Sequence, residues 1–174
     1  GLRNPFRWAL VPGTGATDPA AGQPGMLLIG DVGWNTWEEL NLVRTGGENF
    51  GWPCAEGNHP HLGYAAFNSS DPGFVDCFAP VAGTLTPPIL SWNHSDPNAL
   101  EPAGVYLDGN GTPLPGFKGN CSIGGAIYTG GSYPSEYVGR LFFVDYGRQF
   151  IKTAEFDSNW NLVAVRDFGS QMGQ

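Results

Sequence analysis

The sequence predicts an all-β protein of short strands, tight turns and long ordered loops. Three observations carry this. Gly (27) and Pro (15) together make up roughly a quarter of the 174 residues, a share that borders on the low-complexity range. Six Trp and eleven Phe oppose disorder, because disordered chains lack such groups. Helical periodicity is weak throughout, whereas short apolar runs recur between turn signals.

The expected strands follow in chain order. Phe6–Val11 is closed by Pro12-Gly13, and Met26–Gly30 is opened by Gln23-Pro24-Gly25. Trp37–Val43 reads as the best helical candidate and equally as a strand: Leu40 and Leu42 alternate with Asn41, and the β-branched Val43 follows. Ala126–Tyr128 runs into Gly130-Gly131. Arg140–Asp145, Phe150–Phe156 and Leu162–Phe168 come next, the last two separated by Asp157-Ser158-Asn159.

These strands fall into two clusters, residues 1–53 and 121–170. Each looks like one four-stranded propeller blade, at the roughly 40–50 residue spacing of such repeats. The run Leu141-Phe142-Phe143-Val144-Asp145 echoes Leu27-Leu28-Ile29-Gly30-Asp31: both are apolar runs that end in Asp before a Gly-containing turn. Residues 54–120 carry little periodicity and read as a loop-rich insertion between blades.

Composition narrows the function classes. The formal net charge of −8 disfavours nucleic acid and anionic membrane as partners. No apolar run approaches the roughly 20 residues of a membrane span. Of three cysteines, Cys54 and Cys77 flank a polar loop that a disulfide would close, which leaves Cys121 as the odd one. Four glycosylation sequons begin at Asn68, Asn93, Asn110 and Asn120, where roughly one is expected by chance. All lie in Gly/Pro/Ser-rich loops, so a secreted or cell-surface glycoprotein is expected.

Two patches carry a family resemblance. One is Gly1-Leu2-Arg3-Asn4-Pro5-Phe6-Arg7. The other runs from Gly30-Asp31-Val32-Gly33-Trp34-Asn35 to Gly46-Gly47-Glu48-Asn49-Phe50-Gly51-Trp52-Pro53. Together they resemble the glucose/sorbosone dehydrogenase family of six-bladed β-propellers, which includes relatives similar to Hedgehog-interacting protein. The resemblance implies part of such a propeller, about two to three blades, within a longer protein that supplies the remaining blades.

It also implies pyrroloquinoline quinone (PQQ) and calcium as cofactors, with sugar oxidation by hydride transfer. Arg3 and Asn4 match the family's cofactor-facing Arg-Asn pair. The carbonyls of Gly33 and Trp34 stand where the family ligates Ca²⁺, an ion that accepts backbone oxygens. Arg148, after Asp145, is the nearest cation to a position where the enzymes carry a cofactor-contacting Lys. The turn departs from the enzymes, which have Gln and then Gly-Pro where this chain has Val32-Gly33-Trp34.

His94 stands, as in the Hedgehog-interacting-protein-like relatives, before a Ser-x-x-Gly-Gly strand. Beside the Asn93 sequon it is expected at the surface. His59 and His61 flank Pro60 with no third metal ligand in view. Two functions follow: a PQQ-dependent sugar dehydrogenase, or a non-enzymatic extracellular propeller that binds a protein or glycan partner or builds a surface assembly.

Overall fold

A computed structural model describes residues 1–61, 63, 77 and 85–170. The described strands are β1 (Pro5–Leu10), β2 (Leu27–Asp31), β3 (Trp37–Val43), β4 (Ala55–Glu56), β5 (His59–Pro60), β6 (Leu90–Asn93), β7 (Leu100–Glu101), β8 (Ser122–Ile127), β9 (Leu141–Asp145), β10 (Phe150–Phe156) and β11 (Leu162–Ser170). They form antiparallel sheets in the orders β1-β2-β3-β6-β7 and β8-β9-β10-β11, with β4-β5 as a separate small hairpin. The fold is all-β, and two up-and-down sheets packed face to face are the arrangement of adjacent propeller blades.

Trp37–Val43 is a strand. It pairs with β2 on one edge and β6 on the other, and six of its seven residues are buried. A strand covered on both faces loses the polar alternation that marks a half-exposed one, so its sequence is ambiguous. β6 and β7 come from the stretch read as an insertion. β6 has four residues, Leu90-Ser91-Trp92-Asn93, too few for a period to register, yet three are buried and they supply the fourth strand of the first sheet.

The echo between Leu27–Asp31 and Leu141–Asp145 is a structural repeat. Pro5 pairs with Asp31, and Ser122 pairs with Asp145. A register shift follows each, between Pro5 and Arg7 and between Ser122 and Gly124. Arg7–Gly30, Trp8–Ile29, Ala9–Leu28 and Leu10–Leu27 then correspond to Gly124–Val144, Gly125–Phe143, Ala126–Phe142 and Ile127–Leu141.

The two sheets meet where β8 lies against β1 and β2. Gly30 and Gly124 permit this approach. A Cβ at Gly124 would sit 2.6 Å from the Arg7 carbonyl oxygen, and one at Gly30 would overlap the Gly124 backbone. Gly124 also has φ +75°, a conformation that favours glycine. Below the contact, Leu28, Leu40, Leu90 and Trp92 pack with Leu141, Phe143, Phe150 and Val165 in one core. Trp92 and Phe143 lie with ring centroids 5.7 Å apart. Burial of each such side chain contributes about 1.5–3 kcal/mol.

Both outer faces are less covered. Phe6, Trp8 and Leu10 of β1 are exposed. Leu28 is buried under the second sheet, whereas its counterpart Phe142 is only partly buried, among Tyr128, Tyr133, Tyr137 and Phe168.

Gly30→Ala is expected to cost at least about 3 kcal/mol, since the clash is backbone on backbone. Gly46→Ala, where nothing lies within 4 Å, is expected to stay within about 0.5 kcal/mol of wild type. Urea denaturation of the two variants checks the contrast; equal stabilities would refute the close approach.

Candidate functional site

The loops at one end of both sheets are organised by buried carboxylates. Asp31, at the end of β2, accepts backbone N–H groups from Arg3 (2.9 Å) and Asn4 (2.6 Å), just before β1 begins. The next residue, Val32, returns its N–H to the Asn4 carbonyl at 3.1 Å. Asp145, at the end of β9, repeats the device. It accepts the Cys121 N–H at 3.1 Å, just before β8 begins, and Tyr146 returns its N–H to the Cys121 carbonyl at 2.9 Å. Asp145 also accepts from Trp92 Nε1 (3.1 Å) and the Arg148 N–H (2.8 Å). Burial pushes the Asp31 carboxyl above its ordinary range, and the two N–H donors oppose that.

Arg3 turns back into the first of these turns. Its Nη1 donates to the carbonyls of Val32 and Gly33, both at 2.8 Å. Its guanidinium carbon lies 4.9 Å from the Trp34 ring centroid and 5.6 Å from that of Trp52. Glu56 of β4 holds the other side of the turn, accepting the N–H groups of Trp34 and, at 3.1 Å, Asn35. His61 Nε2 lies 3.9 Å from the second Glu56 oxygen, and the His61 ring meets the edge of Trp52.

Two further carboxylates open β3. Glu38, fully buried, accepts the Ser122 N–H at 2.6 Å and pairs with His94 Nε2 at 2.7 Å. It thereby ties β3 to the first residue of β8, and desolvation raises its carboxyl above the ordinary range. Glu39 accepts the Gly57 N–H at 2.5 Å and Asn41 Nδ2 at 2.9 Å. Burial pushes Glu39 up to about 7, with Asp31 and Glu56 adding like charge. Burial, then Glu38 and Asp145, also raises the half-buried Cys121 thiol.

The structure brings Arg3 and Asn4 onto Asp31, and Gly33 and Trp34 onto the Arg3 guanidinium. Arg148 is exposed on the equivalent turn of the second sheet. Cys54 and Cys77 form the expected disulfide and Cys121 is free. Asn110 and Asn120 are exposed; Asn93 is half-buried, its Oδ1 accepting the Ser95 and Asp96 N–H groups. Asn68 lies outside the described residues.

His94 differs from the surface position expected of it, because Glu38 draws it inward and leaves its side chain 17% exposed. His59 stacks on Trp37 and bonds Glu101 at 3.0 Å. The sequence reading did not single out Glu38, Glu39, Glu56 or Trp52 as site residues, although all but Glu56 lie in the second patch. The available signal was the pair of adjacent glutamates inside an otherwise apolar strand.

Two features of the residues present oppose the implied calcium and quinone. The Gly33 carbonyl is already bonded to a guanidinium, whose charge repels a divalent cation. The space between Arg3, Asp31, Gly33 and Trp52 is about 10 Å³, the scale of one water molecule.

Comparison with known proteins gives partial matches. The chain is 32% identical to the HIPL2 protein of Arabidopsis thaliana over 112 residues, 63% of this chain and 13% of that protein. It is 30% identical to the HIPL1 protein of the same plant over 96 residues, 55% of this chain and 11% of that protein. The chain thus spans about an eighth of the length of these curated relatives. No family model and no solved structure matches it.

The raised Glu39 carboxyl sets a pH dependence. Its folded-state value of about 7 stands above the ordinary 4.5. The protonated group therefore stabilises the fold fully below pH 4.5, and this contribution is lost as pH rises through about 7. Glu38 and Asp31 shift in the same sense. Glu39→Gln is expected to flatten that fall, since its amide does not titrate; the amide can also donate to Asn41 Oδ1, which has no hydrogen-bond partner among the described residues. Urea midpoints measured from pH 4 to 8 check this; an unchanged slope would show that Glu39 ionises normally.

Proposed function

We propose that this chain is part of an extracellular, non-enzymatic β-propeller whose loop end binds a protein or glycan partner. The observation that carries the reading is the engagement of Arg3. The guanidinium that a quinone carboxylate would need is bonded to the Val32 and Gly33 carbonyls and flanked by Trp34 and Trp52. Arg3 then serves to hold a turn in shape. The partial likeness to HIPL proteins agrees with a scaffold of this kind.

The same loop end carries exposed groups suited to a partner. Trp34 is 52% and Tyr146 73% exposed, and Arg148 lies two residues beyond Tyr146. Trp, Tyr and Arg are the residues that dominate binding energy at protein interfaces. The Cys54–Cys77 disulfide suits an oxidising compartment. Glycans on Asn93, Asn110, Asn120 and Asn68 belong to the same proposal. Further blades of a longer protein would cover Trp8 on one side and Phe142 on the other, as the second sheet covers Leu28.

The test adds Ca²⁺ and PQQ to the full-length protein and follows tryptophan fluorescence. No saturable quenching is expected. Saturable quenching together with aldose-dependent dye reduction would restore the dehydrogenase reading. Arg3→Ala is expected to lower stability by about 2–3 kcal/mol, because it removes charge-assisted bonds to two carbonyls. Reduction of Cys54–Cys77 is expected to cost about 3 kcal/mol, which thermal unfolding with and without dithiothreitol measures.

A further inference from the structure

We propose that Asn110 is a site of spontaneous deamidation, at which the peptide nitrogen of Gly111 displaces the side-chain amide. No other asparagine in the chain precedes a glycine. The site makes no use of the loop end, so it stands whether or not that end binds a partner.

The structure supplies an internal control. Asp108–Thr112 and Asp157–Asn161 fold into the same turn, with the aspartate side chain closing it. Asp108 Oδ1 accepts the N–H groups of Asn110 and Thr112, both at 2.8 Å, and Asp157 Oδ1 accepts those of Asn159 and Asn161, also at 2.8 Å. The Asp108 N–H donates to the Thr112 carbonyl at 2.9 Å, and the Asp157 N–H to the Asn161 carbonyl at 3.0 Å. Gly111 N–H returns to the Asp108 carbonyl at 3.1 Å, and Trp160 N–H to the Asp157 carbonyl at 3.0 Å. Asn110 and Asn159 therefore hold the same place, and both are exposed.

The turns differ in the residue that follows. Gly111 has φ +84° and Trp160 φ +59°, a region that glycine enters without steric cost. A Cβ at Gly111 would meet nothing within 4 Å, so the space around it is open. Trp160 instead packs on Phe156, with ring centroids 5.3 Å apart. Arg44 grips the second turn as well, donating to the carbonyls of Asn159 (2.8 Å) and Trp160 (3.1 Å). In the first turn Arg166 Nη1 donates to the Asp108 carbonyl at 2.8 Å. That carbonyl keeps a charged donor when the Gly111 N–H leaves it, so releasing Gly111 strands no acceptor.

The step balances with water alone. The Gly111 nitrogen attacks Asn110 Cγ; the new N–Cγ bond forms as Cγ–Nδ2 breaks, and the Gly111 proton departs with the amide as ammonia. Water then opens the succinimide at either carbonyl, leaving aspartate or isoaspartate at position 110. Both place a negative charge beside Asp108. Isoaspartate also lengthens the backbone between the two N–H groups that Asp108 Oδ1 accepts. Asp108 precedes a glycine too, but its N–H donors, Thr112 foremost, hold its carboxyl below the ordinary range, and an ionised carboxylate resists attack. A glycan on Asn110 Nδ2 would occupy the leaving group, so the two modifications exclude one another.

The test incubates the full-length protein, made in cells that add no N-glycans, at mildly alkaline pH. Chymotryptic peptides are followed by mass spectrometry, with fragmentation to place each conversion and isoaspartyl methyltransferase to detect isoaspartate. Asn110 is expected to convert at least about tenfold faster than Asn159, a barrier difference of about 1.4 kcal/mol. Gly111→Ala should slow Asn110 by a similar factor, with near-UV circular dichroism confirming that the variant is folded. Equal conversion of Asn110 and Asn159, conversion indifferent to Gly111→Ala, or conversion of Asn110 only after unfolding in guanidinium would each overturn the proposal.

Discussion

Each blade-like sheet is fastened at one end by an aspartate whose carboxylate accepts backbone N–H groups from the segment that enters the sheet. Asp31 receives Arg3 and Asn4, and Asp145 receives Cys121. This fixes where β1 and β8 start, hence the register of their pairs and the position of the bulge that follows. The bulge matters because it places Gly124 where the chain can lie against Arg7 and Gly30. The contact between sheets, and the core beneath it, depend on that placement.

Buried carboxylates are costly unless they are hydrogen-bonded. This protein collects five at one end, Asp31, Glu38, Glu39, Glu56 and Asp145, and gives each at least one backbone N–H. Glu38 reaches across to Ser122, so one of these bonds also joins the two sheets. In these Gly- and Pro-rich loops the acidic side chains add acceptors for backbone N–H groups. The same economy accounts for Arg3. A cation among these groups gains more from two carbonyls and two indole faces than from solvent.

Much of the fold was legible in the sequence. Strands such as Phe150–Phe156 follow from local apolar runs and turn chemistry, and the observed bounds match there because Asp157 begins a turn in which its Oδ1 accepts the Asn159 and Asn161 N–H groups. The Cys54–Cys77 bridge and the Asp-terminated repeat were visible as spacing and pattern. β6 was not, because four residues hold no period. Of the site, Arg3, Asn4, Gly33 and Trp34 were legible as a group and Trp52 was visible as part of the second patch, while Glu56, which completes it, carries no local mark.

By itself, then, the sequence determined that the chain is all-β, that two of its strands end in equivalent aspartates, and which cysteines pair. Alternation, turn residues and spacing are local properties, and they act before distant segments meet. Only the tertiary structure decided that Arg3 spends its guanidinium on Val32 and Gly33, that Glu38 holds His94 inward, and that Leu90–Asn93 joins the first sheet. Those outcomes depend on which groups become neighbours across tens of residues, where desolvation makes every unmatched charge seek a partner and so selects the pairs.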